Sequence, residues 1–312
     1  MSFPLAALPL ELGFEILRLA ATPALEHDYP REGNIYANAL ALASVSFNVR
    51  AVIMPHLLHT VILSRQYQLN AFLVSISLQE ILGRRNSRLH LDYTQLVRRI
   101  YSSECYEPFS SQPRSRYQDF SPVGRLMRNA ESVGFHFKSI HLIYSILAFL
   151  GSPLMPDWNC RRVTFAGHIP RWNAITNSPT GGRFLEEITH FNIFAPHDDV
   201  TIPSTDPKRL IPNWFSRAPL NLMIRLTHLS FSLLCRPEDR NVRILIYKLP
   251  TTNPNNGATF LQWAASSDPL SHGKVVEIDV PNRGNDDEDV DWETMFYRGY
   301  QDIWLEPRIP QS

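Results

Sequence analysis

The sequence is poor in cysteine, in net charge and in long apolar runs, and each shortage removes a class of protein. Its 312 residues hold three cysteines, Cys105, Cys160 and Cys235. They are odd in number, far apart and without a Cys-x-x-Cys pair, so a disulfide framework is not expected and buried free thiols are. Lysine plus arginine and aspartate plus glutamate balance at 30 each. That balance argues against a dedicated nucleic-acid binder, with its basic excess, and gives no reason to expect a charged membrane surface as partner. The longest apolar run, 140–150, contains His141 and Ser145 and is too short to span a bilayer. The apolar N-terminus has no basic leader and is interrupted by Glu11 and Glu15, unlike a secretory signal. No Asn-x-Ser/Thr acceptor occurs. These absences together lead us to expect a soluble chain of the cytoplasm or nucleus.

What is present is a globular composition, 44% apolar and 19% charged, in a chain long enough for one large domain or two modest ones. Residues 65–82 read as a helix, with Leu69, Phe72, Leu73 and Ile76 on one face, Gly83 as its stop and a basic turn at 84–88. Strand character follows at 96–101. Residues 102–122 are rich in Ser, Pro, Arg and Gln and read as an exposed loop, the first place a protease is expected to cut. A buried helix is expected at 139–150. Short strands are then expected at 161–166, 184–194, 222–231, 242–247 and 274–280, with helices at 259–265 and 292–304.

The N-terminal 63 residues carry the most specific pattern. Leu8-Pro9-Leu10-Glu11-Leu12 opens a helix with Pro9 in its first turn, Glu11 and Glu15 toward its positive end and Arg18 toward its negative end. Leu12, Ile16, Leu19 and Ala20 make one apolar stripe; Leu42, Val45, Val49, Val52 and Ile53 make another. Two short helices cannot bury all of this against each other, and an apolar surplus points to a partner site. The segment resembles an F-box. Leu8-Pro9-Leu10-Glu11-Leu12 matches the family's opening motif, and Val45-Ser46-Phe47-Asn48-Val49-Arg50 matches its second, with Val49 where the family usually has Trp. Residues 56–63 resemble its closing strand, and the insert at 22–36 is longer than usual. The resemblance implies docking on the Skp-type adaptor of a cullin–RING ubiquitin ligase. Leu8, Pro9, Leu12, Ile16, Val45, Val49 and Leu57 would make the contact by burial, with Glu11 and Arg50 on its polar rim.

Ile188-Thr189-His190-Phe191 and Leu226-Thr227-His228-Leu229 form a partial internal repeat. It resembles the strand signature of degenerate leucine-rich repeats, and strands recurring every few tens of residues suit a stacked array. Asp291-Trp292 and Asp302-Ile303-Trp304 are similar to the tails of fungal F-box-like proteins. The expected fold is therefore α+β or α/β: an F-box-like helical bundle followed by an irregular leucine-rich-repeat-like β/α array. Its parts are 1–63, a mainly helical region at 64–150 with the loop at 102–122, and 151–312. Residues 1–63 are expected to be helical up to His56 with few contacts beyond Gly151, and Thr189 and Thr227 to lie on neighbouring or equivalent strands.

No catalytic constellation stands out. His190 and His228 lack a carboxylate or thiolate at fixed spacing that would complete a metal site, and hydrogen bonding within the stack accounts for them better. His197-Asp198-Asp199 has no nucleophile motif beside it and reads as a solvated turn. Residues 179–183 lack phosphate-loop spacing and read as a hairpin or strand-entry turn. The acidic run 286–291 lacks the glycine of a calcium loop and reads as a solvated loop. The six tryptophans, at 158, 172, 214, 263, 292 and 304, suit core and interface alike. The expected function is that of a substrate-recognition subunit of an SCF-type ligase, without catalysis or cofactor, holding a protein substrate on its C-terminal region. The alternative is a repeat-type interaction scaffold that never joins a ligase.

Overall fold

Short strands, the parallel ones separated by helical segments, assemble into one sheet. The computed structural model describes residues 8–22, 36–106, 119–149, 158–167, 172–194, 217–232, 241–248, 274–279 and 292–297. Three helices open it: α1 (Leu10–Ala20), α2 (Ala37–Ala43) and α3 (Phe47–His59). Then follow β1 (Thr60–Leu63), α4 (Gln66–Arg84), α5 (Tyr93–Leu96), β2 (Arg99–Ser102), α6 (Ser121–Asn129), β3 (Ser132–His136), α7 (Ile140–Phe149), β4 (Arg162–Ala166), α8 (Asn173–Thr176), α9 (Gly181–Glu186) and β5 (His190–Phe194). After these come β6 (His228–Ser232), β7 (Asn241–Lys248), β8 (Lys274–Asp279) and α10 (Trp292–Tyr297).

The eight strands stand in the sheet in the order of the chain. β1 to β6 are parallel, and β7 and β8 continue antiparallel. An order that never reverses has no switch point, and crossovers of one hand then place their helices on one face. Register makes the consequence explicit. Val61, Ile100, Val133, Val163, Phe191 and Leu229 align across the sheet, as do Leu63, Ser102, Phe135, Phe165, Ile193 and Phe231. Apart from Ser102, these rows belong to one contiguous core with the helical side chains Leu69, Leu126, Ile143 and Phe184. On this face Phe135 stacks on Phe165 at 5.6 Å, and Trp172 meets Phe165 edge-on at 5.5 Å.

The intervening rows face the other way; the row Ile62, Tyr101, Gly134, Thr164, Asn192 and Ser230 is buried, whereas Arg99, Arg162, His190 and His228 at the strand entries are half-buried. Ile62, Tyr101, Ala166 and Phe194 are buried but lie outside the contiguous core, together with Trp292, Met295 and Phe296 of α10. Here Asn192 donates through Nδ2 to Thr164 Oγ1 at 2.9 Å, and Ser230 Oγ donates to Asn192 Oδ1, giving a polar rung across β4, β5 and β6. Buried side-chain amides and hydroxyls need such partners.

Several sequence expectations need correction. α4 runs past Gly83 and ends in a Schellman motif: Ser87 N donates to Leu82 O, Asn86 N donates to Gly83 O, and Asn86 has φ 49°. The segment expected as one strand at 184–194 is divided between α9 and β5, and that at 222–231 opens with a 3-10 turn before β6. Residues 179–183 start α9 rather than a hairpin. The loop expected at 102–122 is narrower, because Ser102, Ser103 and Cys105 are buried and Ser121 and Pro122 begin α6; residues 107–118 lie outside the described residues. So do 259–265, His197-Asp198-Asp199, the acidic run 286–291, Cys235, Trp214, Trp263 and Trp304. The helix expected at 292–304 is described over Trp292–Tyr297.

Candidate partner interface

α1 is built inside out relative to its apolar pattern. Gly13, Leu17 and Ala21, spaced i, i+4 and i+8, face inward: Gly13 and Ala21 are buried and Leu17 packs on the core. The stripe Leu12, Ile16 and Leu19 faces solvent, at 53%, 39% and 67% exposure, and Leu10 is 66% exposed. Pro9 precedes the helix rather than lying in its first turn, and its carbonyl accepts from Gly13 N at 3.1 Å. Arg18 Nη1 reaches Glu15 Oε2 at 3.3 Å, an exposed pair worth little.

The second apolar stripe is broken between two helices. α2 ends at Ala43, Val45 stands in the turn at 70% exposure, and Ser46 caps α3 by accepting from Val49 N at 3.2 Å. Ser46 of the second motif thus has a plain structural reason. The segment 56–63 is strand only from Thr60, because α3 continues through Pro55 to His59. α1 packs on α3 and on α2. Of the nine candidate adaptor residues, Pro9, Glu11, Leu12, Ile16 and Val45 are exposed, Leu8, Val49, Arg50 and Leu57 are half-buried, and none is buried. Val49 and Leu57 also pack against the core.

The nine candidate adaptor residues do not include Leu10 of the opening motif, Leu19 of the first stripe, or Phe14, Leu40 and Phe47, all exposed on these three helices. Composition held the signal: α1, LELGFEILRLA, has more large apolar residues than one helical stripe can bury. The N-terminal helices are not isolated from the chain's far end. Tyr297 borders a notch with Glu15, Arg18, His56, His59 and Thr60. Burial, and then Arg18, holds the His56 imidazole below its usual range; burial, and then Arg99, does the same for His59. Tyr36 seals the free edge of β1, donating to Thr60 O at 2.9 Å and accepting from Ile62 N at 2.8 Å.

The Thr-His repeat sits at equivalent strand entries. Thr227 N donates to Thr189 O, Thr189 N donates to Arg161 O, and each threonine Oγ1 lies 2.8 Å from the Nδ1 of the histidine that follows. The imidazoles of His190 and His228 stack at 4.1 Å with 7° between planes. Among the described residues, no cluster of three or more metal-ligating side chains forms. Burial pushes the Cys105 thiol up to about 11 and the Cys160 thiol up to about 12, which keeps both protonated and unreactive at neutral pH. Trp158, Trp172 and Trp292 are buried. No helix among the described residues is long and apolar enough to cross a membrane. Comparison with protein-family models, with curated proteins and with solved structures finds no match to this chain.

Proposed function

We propose that the chain is the substrate-recognition subunit of a cullin–RING ubiquitin ligase, docking on the Skp-type adaptor through α1, α2 and α3 and holding a protein substrate with the strand array. The observation that carries the reading is the outward stripe of α1. Leu10, Leu12, Ile16 and Leu19 stand in solvent beside Pro9 and Glu11 while the helix anchors itself through small residues. Burying each such side chain in a partner gains about 1.5 to 3 kcal/mol at full burial, so a handful of them suffices for stable docking. The chain then acts by binding, with no catalysis or cofactor of its own, in the cytoplasm or nucleus, where its buried thiols stay reduced. The array's role is that of a leucine-rich-repeat-like platform, a reading supported by the sequential parallel strands and the Thr-His rungs.

The test is co-purification with a purified Skp-type adaptor. The wild-type chain retains it. The double variant Leu8→Ala with Pro9→Ala, placed at the accessible start of α1, loses it with an unchanged circular-dichroism spectrum. A wild-type chain that retains no adaptor leaves the same apolar surface to a scaffold that works outside the ligase.

A further inference from the structure

Among the described residues the sheet has one face without crossover helices, and α10 lies on it. α10 presents Trp292, Met295 and Phe296, spaced i, i+3 and i+4, and all three are buried. Phe296 packs against Tyr101 of β2 at 5.0 Å, with the Arg99 guanidinium over its ring at 5.1 Å. Trp292 stacks on Phe194 of β5 at 5.8 Å with 6° between planes. Arg99 donates to the carbonyl of Phe296, and through Nη1 to that of Tyr297 at 3.3 Å. Ser64 Oγ donates to Glu293 Oε2 at 2.8 Å.

The seat is shaped for this helix. A Cβ on Gly134 of β3 would stand 2.4 Å from the Tyr101 ring and 2.8 Å from the Phe296 ring, so the central strand carries no side chain where Phe296 lies. The seat also lies on the opposite side of the sheet from the contiguous core. Ile62, Tyr101, Ala166 and Phe194 belong to no part of the contiguous core, which the opposite rows complete with the crossover helices. Anchors at i, i+3 and i+4 set into an apolar groove are how short amphipathic helices are recognised between molecules.

We propose that this face is a docking groove for a short aromatic helix, that α10 is its resident ligand, and that a protein partner presenting Trp, Met or Leu, and Phe at i, i+3 and i+4 displaces α10 in trans. As an account of how a substrate is chosen it rests on the ligase reading above; as a binding site it is tested without the adaptor, so the two fail separately. A ligand carried on the same chain as its groove binds as an intramolecular event, at a high effective concentration. The intact chain therefore masks the groove, and a free helix binds it with an affinity reduced by the fraction of time α10 is away.

The experiment uses the full chain, folded, with a protease site placed within 281–285 and a fluorescent peptide of residues 288–300 as probe. Before cleavage the peptide binds at least tenfold more weakly than after it. After cleavage it exchanges for the tail fragment, which elutes separately on gel filtration. A peptide with Trp292→Ala and Phe296→Ala does not exchange. Three results overturn the proposal. The peptide binds cut and uncut chain equally, which places it elsewhere. The tail fragment stays on and excludes excess peptide. Or the cut chain loses its cooperative melting transition, which makes α10 part of the core rather than its ligand.

Discussion

Among the described residues, Asn86 is the one non-glycine residue with a positive φ. It takes φ 49° at the position after the end of α4, where glycine is usual and asparagine is tolerated. Asn86→Ala should lower stability by about 1 kcal/mol, and Asn86→Gly should not, as urea denaturation of the two variants will report. The sequence pattern puts the stop at Gly83. Gly83 serves something else: a Cβ there would stand 2.9 Å from His90 Nε2, so the glycine admits the histidine. Residue pattern alone does not separate a glycine that ends a helix from one that makes room for a neighbour. The Thr-His pairs were legible, because Thr189-His190 and Thr227-His228 repeat in sequence and occupy the same place in adjacent strands. The stacking of their rings follows from strand register, which no single repeat reveals.

Among the elements, α1 is the one whose stability and exposed surface are most clearly divided. Leu12→Ala with Ile16→Ala should change unfolding free energy by no more than about 0.5 kcal/mol, as exposed positions do. Leu17→Ala, on the inward row, should lower it by about 1 to 2 kcal/mol for lost burial. Melting curves of the two variants check both; equal destabilisation would mean that the outer stripe serves the chain's own core. α4, α7, β4, β7 and β8 were legible from period and length to within a few residues. β3 was not, since Ser132-Val133-Gly134-Phe135-His136 offers only two large apolar side chains, and its glycine is explained by α10, far away in the chain. α6 was missed because Ser121-Pro122 reads as loop. The same pair is a good helix start once Val123, Leu126 and Met127 have a core to enter.

Across the whole molecule, the sequential strand order ties the two ends of the chain together: crossover helices fill one face, α10 lies on the other, and Tyr297 closes the notch beside α1 and α3. That junction carries a pH dependence. Burial, with Arg18 beside His56 and Arg98 and Arg99 beside His59, holds both imidazoles below their usual range; Glu15 and Glu131 pull the other way. The unfolded chain then binds more protons than the folded one just below about pH 6.5, so stability rises with pH there. This contribution should be complete above about pH 6.5 and be lost as pH falls toward the lowered folded values. Melting temperatures measured across this range should fall less steeply in His56→Gln with His59→Gln than in the wild type; parallel curves would remove the histidines from the account. The sheet topology was only partly legible, because the sequence marks strands but not which of their faces the tail will cover. The apolar surplus of α1 was legible in the sequence, but its outward direction depends on small Gly13 and Ala21 facing in. The most direct measurement of the central claim is calorimetric titration of the purified chain with a Skp-type adaptor. We predict saturable one-to-one binding at micromolar concentrations or below, weakened about thirtyfold or more in Leu12→Ala with Ile16→Ala, as loss of about 2 kcal/mol of anchor contact requires. Absence of binding by the folded wild-type chain, or equal affinity in the variant, would contradict it.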